Sequence, residues 1–266
     1  MELGRVSQAL RDQAVLAHNA TPSRWPEWAE LQLLDALDTV HRVQDRGERR
    51  HLAGALYRDW FSPPVGRVGE VIRGGRPLAG TYRSAHAGTV AQQGEIDVLR
   101  RHDVVGRDGW WRTWGESWTP PRSRPGSVRL LITPQPSELA AVVRIITTAL
   151  LDVAQPWLLA CATDPRRLRR TGGVVLDLGD PGTLPAQTVV ELTPLLRPSA
   201  PPLCLPIAPG IALAEFPDNG MTFGEHRCHL IALAVRHPSA YGAPLRAIAS
   251  VFAAHGIDPG APYRSR

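Results

Sequence analysis

From Val128 onward, short apolar runs of strand length alternate with stretches whose apolar residues recur at helical spacing. This alternation limits what the chain can fold into. Val128-Arg-Leu-Leu-Ile-Thr reads as a strand, and Ser137 to Val153 as an amphipathic helix with Ser137 as its N-cap. Pro156 to Ala162 and Gly173 to Leu178 read as short apolar strands. Thr183 to Thr193 reads as a helix with Thr183 as N-cap, Pro185 in its first turn and Pro194 at its end. Leu203 to Leu213 is extended and broken by proline, and helices follow from Thr222 and from Tyr241. Strand and helix mix without internal repeats, which predicts the α+β class.

The first sixty or so residues differ. Trp28 to Leu37 and Leu52 to Phe61 carry apolar residues at helical spacing, and Ser62-Pro63-Pro64 stops the second stretch. Gln44 to Arg50, between them, is polar and charged like a surface loop. From Val65 to about Arg124 the chain turns to short strands and Gly- and Arg-rich turns; Gly94 to Val105 can hold a strand and Arg107-Asp108-Gly109 is a turn. The expected organisation is a helical N-terminal region, 1–62, followed by an α+β domain, 63–266.

Composition narrows the chemistry. At 266 residues, with 43% apolar and 21% charged residues, the chain can bury a substantial core as an ordinary globular protein. The most apolar stretch, Ile145 to Leu159, is interrupted by Asp152, Gln155 and Pro156, so it does not read as a membrane span. The N-terminal Met-Glu-Leu-Gly-Arg-Val-Ser-Gln lacks a charged-then-apolar signal pattern. Cys161, Cys204 and Cys228 are odd in number and have no metal-ligand spacing, which points to buried thiols in a reducing cytoplasm. All 30 basic residues are arginine. That excludes a lysine Schiff base, a Walker-type lysine loop and a lysine general base. The one dense basic cluster, Arg166, Arg167, Arg169 and Arg170, has no interleaved aromatics, so a nucleic-acid partner is not expected.

The residues richest in chemistry are Pro209-Gly-Ile-Ala-Leu-Ala-Glu215 and Phe223-Gly-Glu-His-Arg-Cys228. Leu230, Ile231 and Ala234 continue the second run at helical spacing, placing His226 and Arg227 near the start of a helix. Backbone N–H groups there favour an anion, and an arginine fork matches phosphate or carboxylate. Two readings stand side by side: a phosphate site with a proton donor beside it, or a structural Arg227–Glu215 ion pair. Trp110-Trp111, with Trp114 and Trp118, reads either as a packing cluster or as the wall of a peptide groove.

The run Ala208-Pro-Gly-Ile-Ala-Leu-Ala-Glu215, then Pro217, Gly220, Phe223-Gly224 and His226-Arg227-Cys228, resembles the signature of the type III effector Hrp-dependent outer protein A family. Tyr57 with Trp60-Phe61, Gly109-Trp-Trp-Arg-Thr-Trp-Gly115, Val128-Arg129-Leu130, Pro156-Trp157, Asp164-Pro165 and Arg170 extend the likeness over roughly Leu56 to Ala234. Bacterial relatives of that effector serve class V lanthipeptide and thioamitide biosynthesis. They eliminate phosphate from phosphoserine or phosphothreonine in a precursor peptide that a separate kinase-like protein phosphorylates.

The resemblance therefore implies an α+β phosphothreonine-lyase-like domain, with a precursor peptide and a kinase-like protein as partners. No cofactor, metal, nucleic acid or membrane is implied. It casts His226 as general acid, Arg227 and Arg170 as the phosphate grip, Glu215 as the group that orients a catalytic arginine or the histidine or binds the peptide, and Trp110, Trp111 and Tyr57 as peptide contacts. The chain departs from the pattern where the family carries lysine, at Ala160 and Leu205, and where Gly172 and Asp177 replace an aspartate and a tyrosine. Asp177 is then a possible base at an altered position. The resemblance thus implies either a phospho-Ser/Thr lyase or a catalytically inactive relative that binds the precursor peptide and supports partner enzymes.

Overall fold

The computed structural model describes residues 25–47, 51–63, 78–88, 91–93, 96–98, 102–118, 127–217, 221–237, 240 and 242–264. Gly220, Tyr241, residues 48–50 of the polar loop and residues 64–77 of the strand-and-turn region lie outside them. The chain divides into two compact units. One gathers the described residues within 64–200 and 206–213, the other those within 12–63, 201–205 and 214–266.

The helices are α1 (Glu27–Asp45), α2 (Leu52–Leu56), α3 (Leu78–Ala85), α4 (Leu139–Leu150), α5 (Pro165–Leu168), α6 (Ala186–Leu192), α7 (Phe223–Arg236) and α8 (Pro244–Ala254). The strands are β1 (Ala91–Gln93), β2 (Ile96–Val98), β3 (His102–Val105), β4 (Trp110–Trp114), β5 (Val128–Ile132), β6 (Trp157–Ala162), β7 (Val174–Leu178), β8 (Leu205–Ala208) and β9 (Ile211–Ala214). The class is α+β, as the alternation predicts.

In the first unit, β1 and β2 form a two-stranded sheet, and seven strands form a second in the order β3-β4-β6-β7-β5-β9-β8. The pairs β3/β4, β4/β6, β6/β7 and β7/β5 are antiparallel. Their register aligns Trp111, Cys161, Val174 and Ile132 in one cross-strand row, all fully buried. Because side chains alternate along a strand, Leu159, Leu176 and Leu130 share that face. It packs with Tyr82 of α3, with Leu139, Val142, Val143, Ile146 and Leu150 of α4, and with Val189 and Leu192 of α6. The apolar residues of α4 recur at i, i+3, i+4 and i+7, which puts them on one stripe.

Several boundaries differ from the sequence reading, and proline is the reason for two of them. Pro136 opens a 3-10 turn, Pro136–Glu138, so α4 starts at Leu139 and Ser137 caps nothing. Pro181 likewise opens a 3-10 turn capped by Asp180, whose carboxylate accepts from the Gly182 N–H at 2.6 Å. Thr183 is therefore not the N-cap, and α6 begins three residues later. The stretch Gly94 to Val105 is divided between β2 and β3, which belong to different sheets. Leu203 to Leu213 folds as the β8–β9 hairpin. Gly210 sits in its turn at φ +78°, and a side chain there would collide with Leu196 and the Arg197 carbonyl. Only glycine satisfies both conditions.

The second unit is helical. α1 buries Ala29, Leu33, Ala36, Leu37, Val40 and Val43 along one face. After α2 a π-helical turn, Tyr57–Phe61, ends with the Ser62 N–H donating to the Tyr57 carbonyl. Phe61 stacks on Tyr57 and meets Phe223 at the start of α7, where Gly224 leaves room for its ring. Leu203 is held at φ 60°, and its N–H donates to Gln32 Oε1 at 2.7 Å, while the Gln32 carbonyl accepts from Trp60 Nε1.

Candidate functional site

Three of the signature residues, Glu215, Phe223 and His226, converge on Arg227 in the second unit. Its side chain has no exposure, and each guanidinium nitrogen has a partner. Nε donates to the Pro262 carbonyl at 2.8 Å, one terminal nitrogen to Glu215 Oε1 at 2.6 Å, and the other meets His226 Nδ1 at 2.9 Å. The cation lies 4.4 Å from the Phe223 ring centroid and 5.8 Å from that of Phe252. Glu215 is placed by its own N–H, which donates to the Tyr263 carbonyl at 2.8 Å. One buried arginine thus ties the residue after β9, the first turn of α7 and the C-terminal segment together.

Burial lowers the guanidinium pKa, and Glu215 pushes it back up. Arginine remains charged in such a setting. The fork of this enclosed cation is directed at a carboxylate and a carbonyl. Of the two readings of Arg227, the contact present in this structure is the structural pair with Glu215.

The start of α7 is also filled from within. Thr222 Oγ1 accepts from the Glu225 N–H at 3.3 Å, while the Glu225 carboxylate accepts from the Thr222 N–H and hydroxyl, each at 2.8 Å. This capping box already supplies a carboxylate where a helix start would attract an anion. The Thr222-x-x-Glu225 spacing is its sequence signal, and Glu225 is the residue that the phosphate reading of this helix start leaves out. Pro262 and Tyr263 had no such signal.

Arg227 only donates, so His226 Nδ1 accepts, and the neutral imidazole carries its proton on Nε2. Burial first, and the Arg227 charge second, lower the His226 pKa below the usual histidine value, with Glu215 opposing. A neutral Nε2–H can offer a hydrogen bond. Handing that proton away would leave an imidazolate, which is a poor outcome for a general acid at neutral pH.

The remaining candidates lie elsewhere. Arg170 belongs to the first unit, just past α5, where its N–H closes a turn on the Arg167 carbonyl. Arg197 pins this turn by donating to the Leu168 and Arg170 carbonyls. Asp177 is gripped by Arg129, directly opposite it on β5, at 2.7 and 3.0 Å, so its carboxylate is committed to a cross-strand pair. Ala160 is buried within β6. Trp111 is fully buried and its indole donates to Asp103, which removes it as a groove wall. Trp110 stays half-buried, with the Arg167 guanidinium 5.7 Å from its ring. Tyr57 is half-buried in the π turn. All three thiols are buried and their pKa values are pushed up by desolvation. Among the described residues no group of three His, Cys, Asp or Glu is placed to hold a metal ion, and no helix is long and apolar enough to cross a membrane.

Fold and site together define an α+β protein with a seven-stranded sheet in one unit and an arginine-centred polar node in a helical second unit. The HopA1 effector protein family matches residues 114–264, more than half of the sequence, and the chain belongs to that family. The fold is also that of two effector proteins of known structure. The one from Pseudomonas syringae pv. tomato strain DC3000 superposes with a TM-score of 0.59 at 15% identity, over 89% of this chain and 99% of its own. The one from Pseudomonas syringae pv. syringae strain 61 gives a TM-score of 0.60 at 16% identity, over 90% and 99%. No curated protein matches the sequence.

Proposed function

We propose that this chain is a non-catalytic member of its family that binds a Ser/Thr-rich precursor peptide, in a ribosomally made peptide pathway, and presents it to partner enzymes. The observation that carries the reading is the engagement of all three guanidinium nitrogens of the buried Arg227 by Glu215, Pro262 and His226. Two residues that by resemblance would serve phosphate expulsion, Arg227 and Glu215, hold each other here as a buried ion pair. The absence of lysine points the same way, since abstraction of a weakly acidic α-proton needs a base that neither Ala160 nor the committed Asp177 supplies. The half-buried Trp110 and Tyr57 keep apolar surface that a peptide can use.

The test pairs two measurements on the full chain. A Ser/Thr-rich precursor peptide and its phosphothreonine form are titrated calorimetrically, and the phosphorylated peptide is followed by mass spectrometry with and without the kinase. Saturable binding with no loss of phosphoric acid is expected. Time-dependent loss of phosphoric acid that is abolished by His226→Ala would overturn the proposal in favour of a phospho-Ser/Thr lyase.

A further inference from the structure

The seven-stranded sheet ends in two edge strands of different character, β8 and β3. β8 carries the exposed Pro206, which has no N–H to offer a neighbouring strand. β3, His102-Asp-Val-Val105, has no proline, and among the described residues no strand pairs with its outer side. Its one acidic group, Asp103, is turned inward, where the carboxylate accepts from Arg83 Nε at 2.6 Å and from Trp111 Nε1 at 2.9 Å. Val104 and Val105 are exposed, at 45% and 44%. An open edge flanked by apolar side chains is a template for another strand.

The ladder fixes which main-chain groups face that edge. The β3–β4 hairpin closes with the Gly106 N–H donating to the Trp110 carbonyl at 2.8 Å. Hydrogen-bonded pairs alternate along an antiparallel ladder, so Val104, opposite Arg112, and His102, opposite Trp114, turn their main-chain groups toward β4. Asp103 and Val105 turn theirs outward. These two residues lie symmetrically about Val104, and that symmetry selects the occupant: a second β3, running antiparallel about a two-fold axis at Val104.

We propose that β3 is a self-association edge that joins two copies of this chain through one continuous sheet. In this register Asp103 exchanges two hydrogen bonds with the partner's Val105, and Val105 does the same with the partner's Asp103. The two Val104 side chains meet at the axis as a non-hydrogen-bonded pair, where cross-strand side chains come closest. Each carboxylate lies opposite a valine, which keeps like charges apart. An axis at Asp103 would oppose the two carboxylates, and an axis at Val105 would leave a single hydrogen-bonded pair within the strands. A strand of 4 residues is short for an interface of about 1,200–2,000 Å². The association is therefore reversible and rises with concentration.

Sedimentation velocity of the full chain over a concentration series reads the association, and single cysteines read the register. The native thiols are buried, so the unmodified chain is the blank for oxidative crosslinking. Val104→Cys should link to itself across the axis, because directly opposite residues fall within disulfide reach. Val105→Cys, opposite the partner's Asp103, should not. Val105→Pro removes one outward donor per copy while leaving the bonds to β4, and should raise the dimer dissociation constant about tenfold or more. Val104→Glu, which brings two carboxylates together at the axis, should also weaken the dimer. A chain that stays monomeric up to about 1 mM, undiminished association in both variants, or Val105→Cys linking as readily as Val104→Cys would overturn the proposal. So would a monomer whose Val105 N–H is protected from hydrogen exchange only by added precursor peptide, an outcome that assigns the edge to the peptide.

Discussion

Arg227 donates a hydrogen bond to Nδ1 of the residue beside it, His226, at 2.9 Å, and so fixes which nitrogen of that imidazole carries the proton. Protonating Nδ1 would turn this bond into a contact between two cations in a buried setting. That relationship gives the protein a pH dependence of defined sign. The folded state holds the His226 pKa below its ordinary value of 6.5. Its stabilising contribution is therefore fully present above that value, and is lost as pH falls from 6.5 through the depressed folded value. Urea melts between pH 7.5 and pH 5 should show declining stability. His226→Asn, which can still accept from Arg227, should have a smaller slope over the same interval.

The same guanidinium is the costly group to remove. Arg227→Leu leaves Glu215, 14% exposed, without its cation and the Pro262 carbonyl without its donor. Breaking a buried pair by deleting one partner costs about 3–5 kcal/mol, whereas replacing both partners by apolar groups is often close to neutral. Denaturant titration of Arg227→Leu, Glu215→Leu and the double variant should therefore be strongly non-additive, the double variant being more stable than Arg227→Leu alone. Additive losses would mean that the two side chains act independently.

Two helical glycines should respond to alanine in opposite directions. At Gly224 a Cβ would run into the Phe61 ring, so Gly224→Ala should destabilise by about 1–3 kcal/mol despite alanine's better helix propensity. At Gly54 the space is open, and Gly54→Ala should stabilise by about 0.5–1 kcal/mol. Thermal melts of the two variants decide this. Phe61→Leu introduced with Gly224→Ala should recover part of the loss.

These residues also show which parts of the structure were readable from sequence. The β5–α4–β6 order was legible because apolar spacing is local and α4 repeats it over three turns. The helix starts at Ser137 and Thr183 were misplaced because Pro136 and Pro181 insert short 3-10 turns, a competition between cap and turn that apolar spacing does not report. The Arg227–Glu215 pair could be weighed as one of two readings, since twelve residues separate the partners. The contacts that enclose Arg227 come from Pro262, thirty-five residues beyond it, and from the ring of Phe252. Those contacts are made by tertiary packing and leave no periodic trace. The capping box, in contrast, was written plainly as Thr222-x-x-Glu225.

Burial of all three cysteines gives a direct probe of the two units. Desolvation raises the pKa of Cys161, Cys204 and Cys228, so little thiolate forms near neutral pH. Cys161 lies in β6 of the first unit, whereas Cys204 and Cys228 belong to the helical unit. Native protein at pH 8 should react slowly with iodoacetamide at every site, and each thiol should react only as its surroundings open. Peptide mapping after pulse labelling through a urea gradient then reads the units separately. If Arg227 holds the helical unit together, Arg227→Leu should move Cys204 and Cys228 labelling to lower urea while shifting Cys161 less. Equal shifts at all three sites would instead mean that the two units unfold as one cooperative body.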